Sequence, residues 1–392
     1  MISVSRNDEN AVIVLRQVFD YFYLLLFGII LTYHFIISTM MRVVWPEGFL
    51  KGIIIALGLV VFMRLVVTKI TSYHCLLIAW VLFSFMLFSY YHSQHTLVLE
   101  TGFLMIGAMN LNYKKMLGIY VAIIAIGLVT MFVFTRLGLI VDLVYSMYGH
   151  QRHSFGIIYP TNFAAFVFYA FLAWFLLRED KITNIECGIM AFIAIMLEVF
   201  CHTRLNEGAI VVIVIASVML KNKKIRGRMN DFFMKKKCVS MIIPMVCMMI
   251  PFFAARVYNP SIPFLRWMDD FSHGRMVLAR RNLSENALTL FGQNIKMVGN
   301  GGSLKLPEHY TFIDISYLHI AMRFGIIILL CVLVMIWVFM IRVKNNAHLI
   351  FAMILVCVTS LIEHHLFDFC YNILIILPFA SLETSCTTIQ IE

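Results

Sequence analysis

Arginine, acidic and histidine side chains stand at the predicted ends of several apolar segments. A guanidinium group at such a boundary can form paired hydrogen bonds to phosphate oxygens. A carboxylate or imidazole beside it can accept the proton of a hydroxyl group as a new bond forms. This chemistry predicts the catalytic residues Arg204, Arg275, Asp314 and His309. It also predicts the substrate-binding residues Arg152, Asn162, Tyr317, Arg323 and Glu363.

Each of these assignments has a structural alternative that the sequence leaves open. A boundary arginine can simply extend to lipid headgroups. Asp314 can form a salt bridge or cap a helix, and His309 can be an ordinary exposed loop residue. Arg323 lies deeper in its apolar segment, where a charge is costly and often functional. Glu363 can hold a sugar hydroxyl or pair with an arginine.

The composition excludes an ordinary soluble domain. Hydrophobic residues make up 61% of the chain and charged residues only 13%, and the mean hydropathy is +0.89. Repeated apolar runs of membrane-spanning length predict an all-α, polytopic integral membrane protein with about twelve transmembrane helices. We expect one membrane domain over residues 1–392. The expected spans are 18–41, 49–68, 73–91, 95–111, 114–134, 157–177, 184–202, 205–220, 238–255, 313–341, 347–364 and 369–385.

Basic residues between the spans predict the orientation of the chain. The short loop 221–237 is strongly basic and contains a single acidic residue, Asp231, so it belongs on the cytoplasmic side. Counting spans outward from it places three further basic pairs inside, and it makes both termini cytoplasmic. The same count places loops 135–156 and 256–312 outside. The three inner pairs are Lys114/Lys115, Arg178/Lys181 and Arg342/Lys344.

The loop 256–312 is a polar, net basic segment in an otherwise apolar chain, so an anionic partner is expected there. Ser272 is expected to cap a helix that continues to about residue 291. An apolar stripe along that helix predicts that it lies on the membrane surface or covers the helical bundle. The stripe consists of Met276, Ala279, Leu283, Ala287 and Leu290.

The sequence contains no pattern that indicates a metal ion or a cofactor. The nine cysteines are scattered, and no CxxC or Cys/His ligand spacing occurs, so disulfide and metal interpretations are both weak. The glycines at 299–302 lack the framing of a phosphate-binding P-loop. We therefore expect no metal, no cofactor and no nucleic-acid partner.

Taken together, these motifs resemble those of the Wzy-type polysaccharide polymerases and the related O-antigen ligases, over roughly residues 150–380. In that family an external R…G…PN segment precedes a span, and a Thr/Ser-Arg pair starts another. A large external loop then opens with Gly-Arg before a helix and closes with a polar motif before the next span. The ligase branch has a histidine where Asp314 stands, which favours the polymerase branch. The corresponding segments here are 152–162, Thr203-Arg204, Gly274-Arg275, Gly299-Asn300-Gly301 and 314–318.

The resemblance implies a metal-independent glycosyltransferase at the outer face of the bacterial cytoplasmic membrane. Both its donor and its acceptor are lipid-linked oligosaccharides, and the polyprenyl diphosphate of the donor is the leaving group. Arginines neutralise the charge that develops on that diphosphate, and the reaction inverts the anomeric centre. The other expected partners are membrane lipids, a chain-length regulator and further proteins of polysaccharide assembly.

Two alternatives remain at this point. The first is a ligase-like glycan transferase, whose motifs overlap with those of the polymerases. The second is a transporter of lipid-linked sugars, in which two related halves are common. Residues 1–196 and 197–392 show no such repeat, which favours the enzyme.

Overall fold

The computed structural model describes residues 6–67, 73–147, 149–236, 238–272, 274–305 and 307–382. Across these residues the chain is predominantly α-helical, as expected. A small antiparallel hairpin, which the sequence analysis did not predict, joins β1 (Val144–Met147) to β2 (His150–His153) inside the loop 135–156. The helices are α1 (Arg6–Ile37), α2 (Phe49–Val67), α3 (Tyr73–Ser93), α4 (Thr96–Gly107), α5 (Tyr113–Arg136), α6 (Pro160–Arg178), α7 (Asn184–Cys201), α8 (Arg204–Lys221), α9 (Lys223–Lys235), α10 (Val239–Val257), α11 (Pro263–Phe271), α12 (Arg275–Glu285), α13 (Ser316–His319), α14 (Ile326–Arg342) and α15 (Ala347–Thr359).

Seven of the described helices are long and apolar enough to cross a membrane, namely α1, α2, α3, α5, α6, α7 and α10. Helices α8 and α9 form a pair bent by 102° that meets the same criteria together. Helices α4, α14 and α15 are apolar but shorter. The chain is therefore a helical membrane protein. The finer count of twelve spans stays a prediction.

The last expected span, 369–385, is not a helix in its described part. Only a short 3₁₀ turn, Ile373–Ile376, forms there. The segment is nevertheless buried inside the bundle, so protein groups must satisfy its backbone. The Arg342 guanidinium donates a hydrogen bond to the Ala380 carbonyl (2.9 Å), and the Ser381 amide donates to the Leu111 carbonyl (2.7 Å). The helix prediction failed here because an apolar run alone does not distinguish a span from a buried, irregular segment.

Helix α4 is short and contains a fully buried carboxylate, Glu100. The carboxylate meets the His34 ring of α1 at 2.5 Å between Nε2 and Oε2. A buried acidic group needs a partner of this kind. Glu100 is therefore compatible with an apolar helix because α1 supplies that partner.

The expected span 313–341 is broken near its start. Helix α13 continues into a π-helical turn, Ile320–Phe324, and the chain then bends at Gly325 before α14 begins. Gly325 has φ +101°, and a Cβ there would lie 2.4 Å from the Gly292 nitrogen. Such a backbone costs an ordinary residue about 1–3 kcal/mol even without the clash. The loop 256–312 thus packs directly against the break.

The same loop also caps α14. The first amides of this helix, those of Ile326 and Ile327, donate hydrogen bonds to the carbonyls of Thr289 (3.0 Å) and Leu290 (3.1 Å). The first amides of a helix have no partner within it. The loop is therefore attached to the helical bundle through its own backbone.

Within the range 272–291, where a single helix was expected, the structure has the shorter helix α12 (Arg275–Glu285), and a separate helix, α11, ends before that range at Phe271. The Ser272 hydroxyl binds the Asp269 carbonyl instead of capping a helix. The Asp269 carboxylate instead accepts hydrogen bonds from the amides of Met276 (2.9 Å) and Val277 (3.1 Å) at the start of α12. Helix α12 ends at Glu285, so Ala287 and Leu290 lie beyond it. The Asp269 side chain, seven residues before Met276 and eight before Val277, thus takes the place of the expected cap.

The apolar face of α12 covers the bundle. Met276 and Ala279 are buried, and Ala279 belongs to a small apolar cluster that includes Ile313, Ile315 and Leu318. Of the two expected locations for this stripe, the structure shows the one against the bundle. The exposed apolar face of the loop is instead on α11, where three aromatic rings stack in a row: Phe264, Trp267 and Phe271.

The basic segments that were expected to share one side do lie at one end of the bundle. Glu179, just after α6, accepts hydrogen bonds from Lys114 at the start of α5 (3.0 Å) and from Asn346 before α15 (3.1 Å). Arg226 of α9 pairs with Asp180. We call this the basic end. Because α15 begins at the basic end, the turn that follows Thr359 lies toward the opposite end.

Candidate functional site

At the end of the bundle opposite the basic end, Arg275, Asp314 and Glu363 converge. We call these three residues the arginine–carboxylate site. Arg275 is the first residue of α12, and its guanidinium donates a hydrogen bond to the Ile362 carbonyl in the turn after α15. Arg275 and Asp314 line the same small cavity, and the charge of Arg275 opposes the rise that burial causes in the pKa of Glu363. Three segments distant in sequence thus meet at one cation and two carboxylates.

The Asp314 carboxyl group is buried and has a hydrogen-bond partner. It lies in the segment before α13 and accepts a hydrogen bond from the Tyr310 hydroxyl (2.9 Å). Burial raises the pKa of Asp314 above its usual range, while Arg275 and the Tyr310 hydrogen bond oppose that rise. A base with an elevated pKa accepts a proton more readily at neutral pH. Of the alternatives considered for Asp314, neither a helix cap nor a direct salt bridge is seen.

Glu363 is held by α8 and α13. Its carboxylate accepts a hydrogen bond from the Asn206 amide of α8 (2.7 Å), and its backbone carbonyl accepts one from the Ser316 amide (3.1 Å). Burial raises the pKa of Glu363 to about 7, against the opposing effects of Arg275 and Asn206. A raised pKa favours the protonated form, which can donate as well as accept a hydrogen bond.

The cavity at this site is small. Its volume is about 10 Å³, roughly the space of one water molecule. A sugar ring does not fit in such a space. A ligand of that size would fit only if α12 separated from the segment that precedes α13.

A second polar group extends from the arginine–carboxylate site. The Arg323 guanidinium lies 3.4 Å from Nε2 of His319, and the His319 ring lies 5.9 Å from the His364 ring. Burial, together with the charges of Arg275 and Arg323, lowers the pKa of His364 to about 3. The His364 imidazole is therefore neutral near pH 7, and the charges of both arginines act on it.

Arg152 and Tyr317 have structural contacts. The Arg152 side chain is buried and donates a hydrogen bond to the Cys201 carbonyl (2.8 Å). Tyr317 is completely buried, and its hydroxyl donates to the Cys357 carbonyl (2.9 Å). These contacts connect β2 to α7 and α13 to α15. A role of either residue in substrate binding stays a prediction.

Arg204, His309 and Asn162 are not joined to the arginine–carboxylate site. Arg204 and His309 are exposed, and Asn162 is half-buried at the start of α6. Among the described residues, no side-chain hydrogen bond connects any of the three to Asp314 or Glu363. Arg204 nevertheless lies two positions before Asn206, which does reach the site. Their catalytic and binding roles also stay predictions.

Sequence reasoning missed the supporting residues Asn206, Tyr310 and His319. Asn206 is a fully buried amide in a helix that is otherwise mostly apolar, and this is a signal that the sequence does carry. Tyr310 and His319 have no comparable signal, because their importance depends on residues that only the fold brings near them. Within the described residues, no group of three or more His, Cys, Asp or Glu side chains could hold a metal ion.

Comparison with protein-family models, with curated proteins and with solved structures finds no match to this chain. The geometry of the site and the motifs of the sequence are therefore the basis for assigning a function.

Proposed function

We propose that this protein is a glycosyltransferase that joins lipid-linked oligosaccharide repeat units into a surface polysaccharide. The observation that carries the proposal is the convergence of Arg275, Asp314 and Glu363 at one end of a membrane-embedded bundle. A cation for a leaving phosphate and a buried base for a hydroxyl are the two groups that such a transfer needs. The resemblance of the motifs to those of the Wzy-type polymerases supports the same reaction.

In the proposed reaction the terminal sugar hydroxyl of the acceptor attacks the anomeric carbon of the donor. The Asp314 carboxylate takes the hydroxyl proton while the new C–O bond forms. The bond from the anomeric carbon to the lipid diphosphate breaks, and the electron pair leaves with the diphosphate. Arg275 stabilises that negative charge, and direct displacement inverts the anomeric centre. Glu363 positions Arg275 and binds a sugar hydroxyl.

Arg323 supports this assignment as a second cation for the leaving group. It was expected to bind substrate from its position within an apolar segment. Arg323 contacts His319, and the His319 ring lies near the His364 ring. Two guanidinium groups that face a neutral imidazole can share one diphosphate, each holding one phosphate.

The proposal also includes the orientation of the protein in the bacterial cytoplasmic membrane. The basic end carries the cluster 221–237, which belongs in the cytoplasm by the positive-inside rule. The arginine–carboxylate site at the opposite end then faces outward, where lipid-linked repeat units are joined. Both termini are cytoplasmic in this orientation.

Labelling of cysteines with a membrane-impermeant maleimide tests the orientation. Cys238 is exposed near the basic end, and Lys305 is exposed in the large loop. In a Cys386→Ser variant, which removes labelling at position 386, we expect Cys238 to react only after the membrane is permeabilised. Lys305→Cys, combined with Cys238→Ser and Cys386→Ser, should react while the membrane is intact. The reverse pattern would place the site in the cytoplasm and contradict the proposal.

Deletion of the gene tests the reaction class. We expect surface glycan to change from long chains to single repeat units on the lipid, because transfer to the final acceptor does not need this enzyme. Gel analysis of extracted glycan, with complementation by the wild-type gene, provides the measurement. Loss of all surface glycan would instead indicate a ligase or an exporter.

A further inference from the structure

A large groove lies on the lipid-facing side of the bundle, away from the arginine–carboxylate site. Its volume is about 850 Å³, which is within the usual size range of small-molecule sites. The walls are α1 and α5, and one opening is bordered by the start of α2. The lining is almost entirely apolar, apart from two lysines, Lys114 and Lys115.

Two glycines shape the groove. Gly28 of α1 allows close contact with α5, since a Cβ there would lie 3.4 Å from the Ile123 side chain. Gly118 of α5 faces open space, with no atom within 4 Å of a Cβ built on it. The lining of α1 runs from Tyr21 to Tyr33, a rise of about 18 Å at 1.5 Å per residue. This length is more than half of the hydrocarbon core of a bilayer, which is about 30 Å thick.

The two ends of the groove differ in chemistry. At the end near Tyr33, the Trp45 ring stacks on Phe49 (4.7 Å between centroids) and meets the Tyr33 ring edge-on (4.9 Å). Aromatic side chains of this kind are typical of a membrane interface. At the other end, the Lys114 ammonium group is paired with Glu179 at 3.0 Å. Lys115 is exposed, and no side-chain hydrogen bond or ion pair of Lys115 occurs among the described residues.

We propose that this groove binds one anionic phospholipid, with an acyl chain between α1 and α5 and the phosphate of the headgroup at Lys115. The charge of Lys115 at the mouth of an apolar groove is the complement of an anionic headgroup. Lys115 lies at the basic end, so the lipid comes from the leaflet on that side. The inference does not depend on the proposed glycosyltransferase activity.

Native mass spectrometry of the purified full-length protein tests the proposal. The probes are palmitoyl-oleoyl phosphatidylglycerol and the corresponding phosphatidylcholine, each at the same concentration. We expect the wild-type protein to retain one phosphatidylglycerol molecule in preference to phosphatidylcholine, by about fivefold for a single lysine. Gly118→Leu, which fills the groove, should abolish the retained lipid. Lys115→Glu should abolish the preference between the two headgroups.

Two matched variants separate the groove from general lipid contact. Gly188 of α7 is also exposed with no atom near its Cβ, so Gly188→Leu should leave lipid retention unchanged. Lys181 is an exposed lysine outside the groove, so Lys181→Glu should preserve the headgroup preference. Equal retention of both lipids by the wild-type protein would overturn the proposal. Co-purification of an isoprenoid phosphate in place of phospholipid would also overturn it.

Discussion

Arg275→Ala is expected to stop chain lengthening while the protein still accumulates in the membrane. Removing a group that stabilises the developing charge of a leaving group typically lowers the rate by about 10²-fold or more. Arg275 is placed for that role because it starts α12, lines the cavity with Asp314 and binds the Ile362 carbonyl next to Glu363. The measurement is the length distribution of surface polysaccharide in cells that carry only the variant. Long chains at the wild-type level would refute the assignment.

Arg281→Ala is the matched control for Arg275→Ala, because both arginines belong to α12. The Arg281 side chain is 45% exposed and pairs with Glu285 on the surface. An exposed pair of this kind contributes about 0–1 kcal/mol, so normal chain lengths are expected. Arg275→Lys retains the charge without the forked geometry and should give an intermediate result. Thermal unfolding in detergent shows whether loss of the Ile362 contact alone destabilises the protein.

Asp314→Asn is expected to lower the transfer rate by about 10²–10⁴-fold, the usual contribution of a general base. The asparagine amide oxygen can still accept the Tyr310 hydrogen bond, so the local structure should persist. The measurement is the rate of repeat-unit transfer by purified protein. His309→Ala addresses the other candidate base. Since His309 is exposed, we expect that variant to remain active. The opposite ranking of these two variants would assign the base to His309.

The pH dependence of that rate distinguishes a base from a structural carboxylate. Burial raises the pKa of Asp314, and only the ionised form accepts a proton. The rate should therefore rise with pH through an elevated midpoint. Tyr310→Phe removes a hydrogen bond that favours the ionised form, so its midpoint should move to still higher pH while the plateau stays unchanged. A pH profile that is identical in wild type and Tyr310→Phe would argue against Asp314.

The candidate site was only partly predictable from the sequence. Arg275, Asp314 and Glu363 could be named because charged groups next to apolar spans are uncommon and often functional. The sequence did not indicate which other residues contact these three. The hydrogen bond between Asn206 and Glu363 joins residues 157 positions apart, and nothing local to either residue announces it. Arg204 is the opposite example. Its Thr-Arg motif singled it out in the sequence, but its side chain is exposed and is not joined to the arginine–carboxylate site.

The sequence also does not show which groups pair with a charge inside a helix. Arg64 lies in the last turn of α2, a position from which a long charged side chain can extend to the membrane surface. It is instead only 1% exposed, and it pairs with Asp20 of α1 at 2.6 Å. Its guanidinium also donates hydrogen bonds to the carbonyls of Gly107 (2.6 Å) and Met109 (2.7 Å). The sequence position of a charge therefore does not reveal whether lipid headgroups or other helices satisfy it.

The sequence by itself determined that the chain is a helical membrane protein, and it located the polar loop 256–312. Both follow from local composition, because a lipid-exposed backbone must satisfy its own hydrogen bonds in a helix. Only the tertiary structure decided that 369–382 is irregular, that the loop packs against the break at Gly325, and that Arg275 meets Asp314 and Glu363. These features depend on contacts between segments far apart in the chain. Hydropathy along one segment has no information about which other segment will supply its partners.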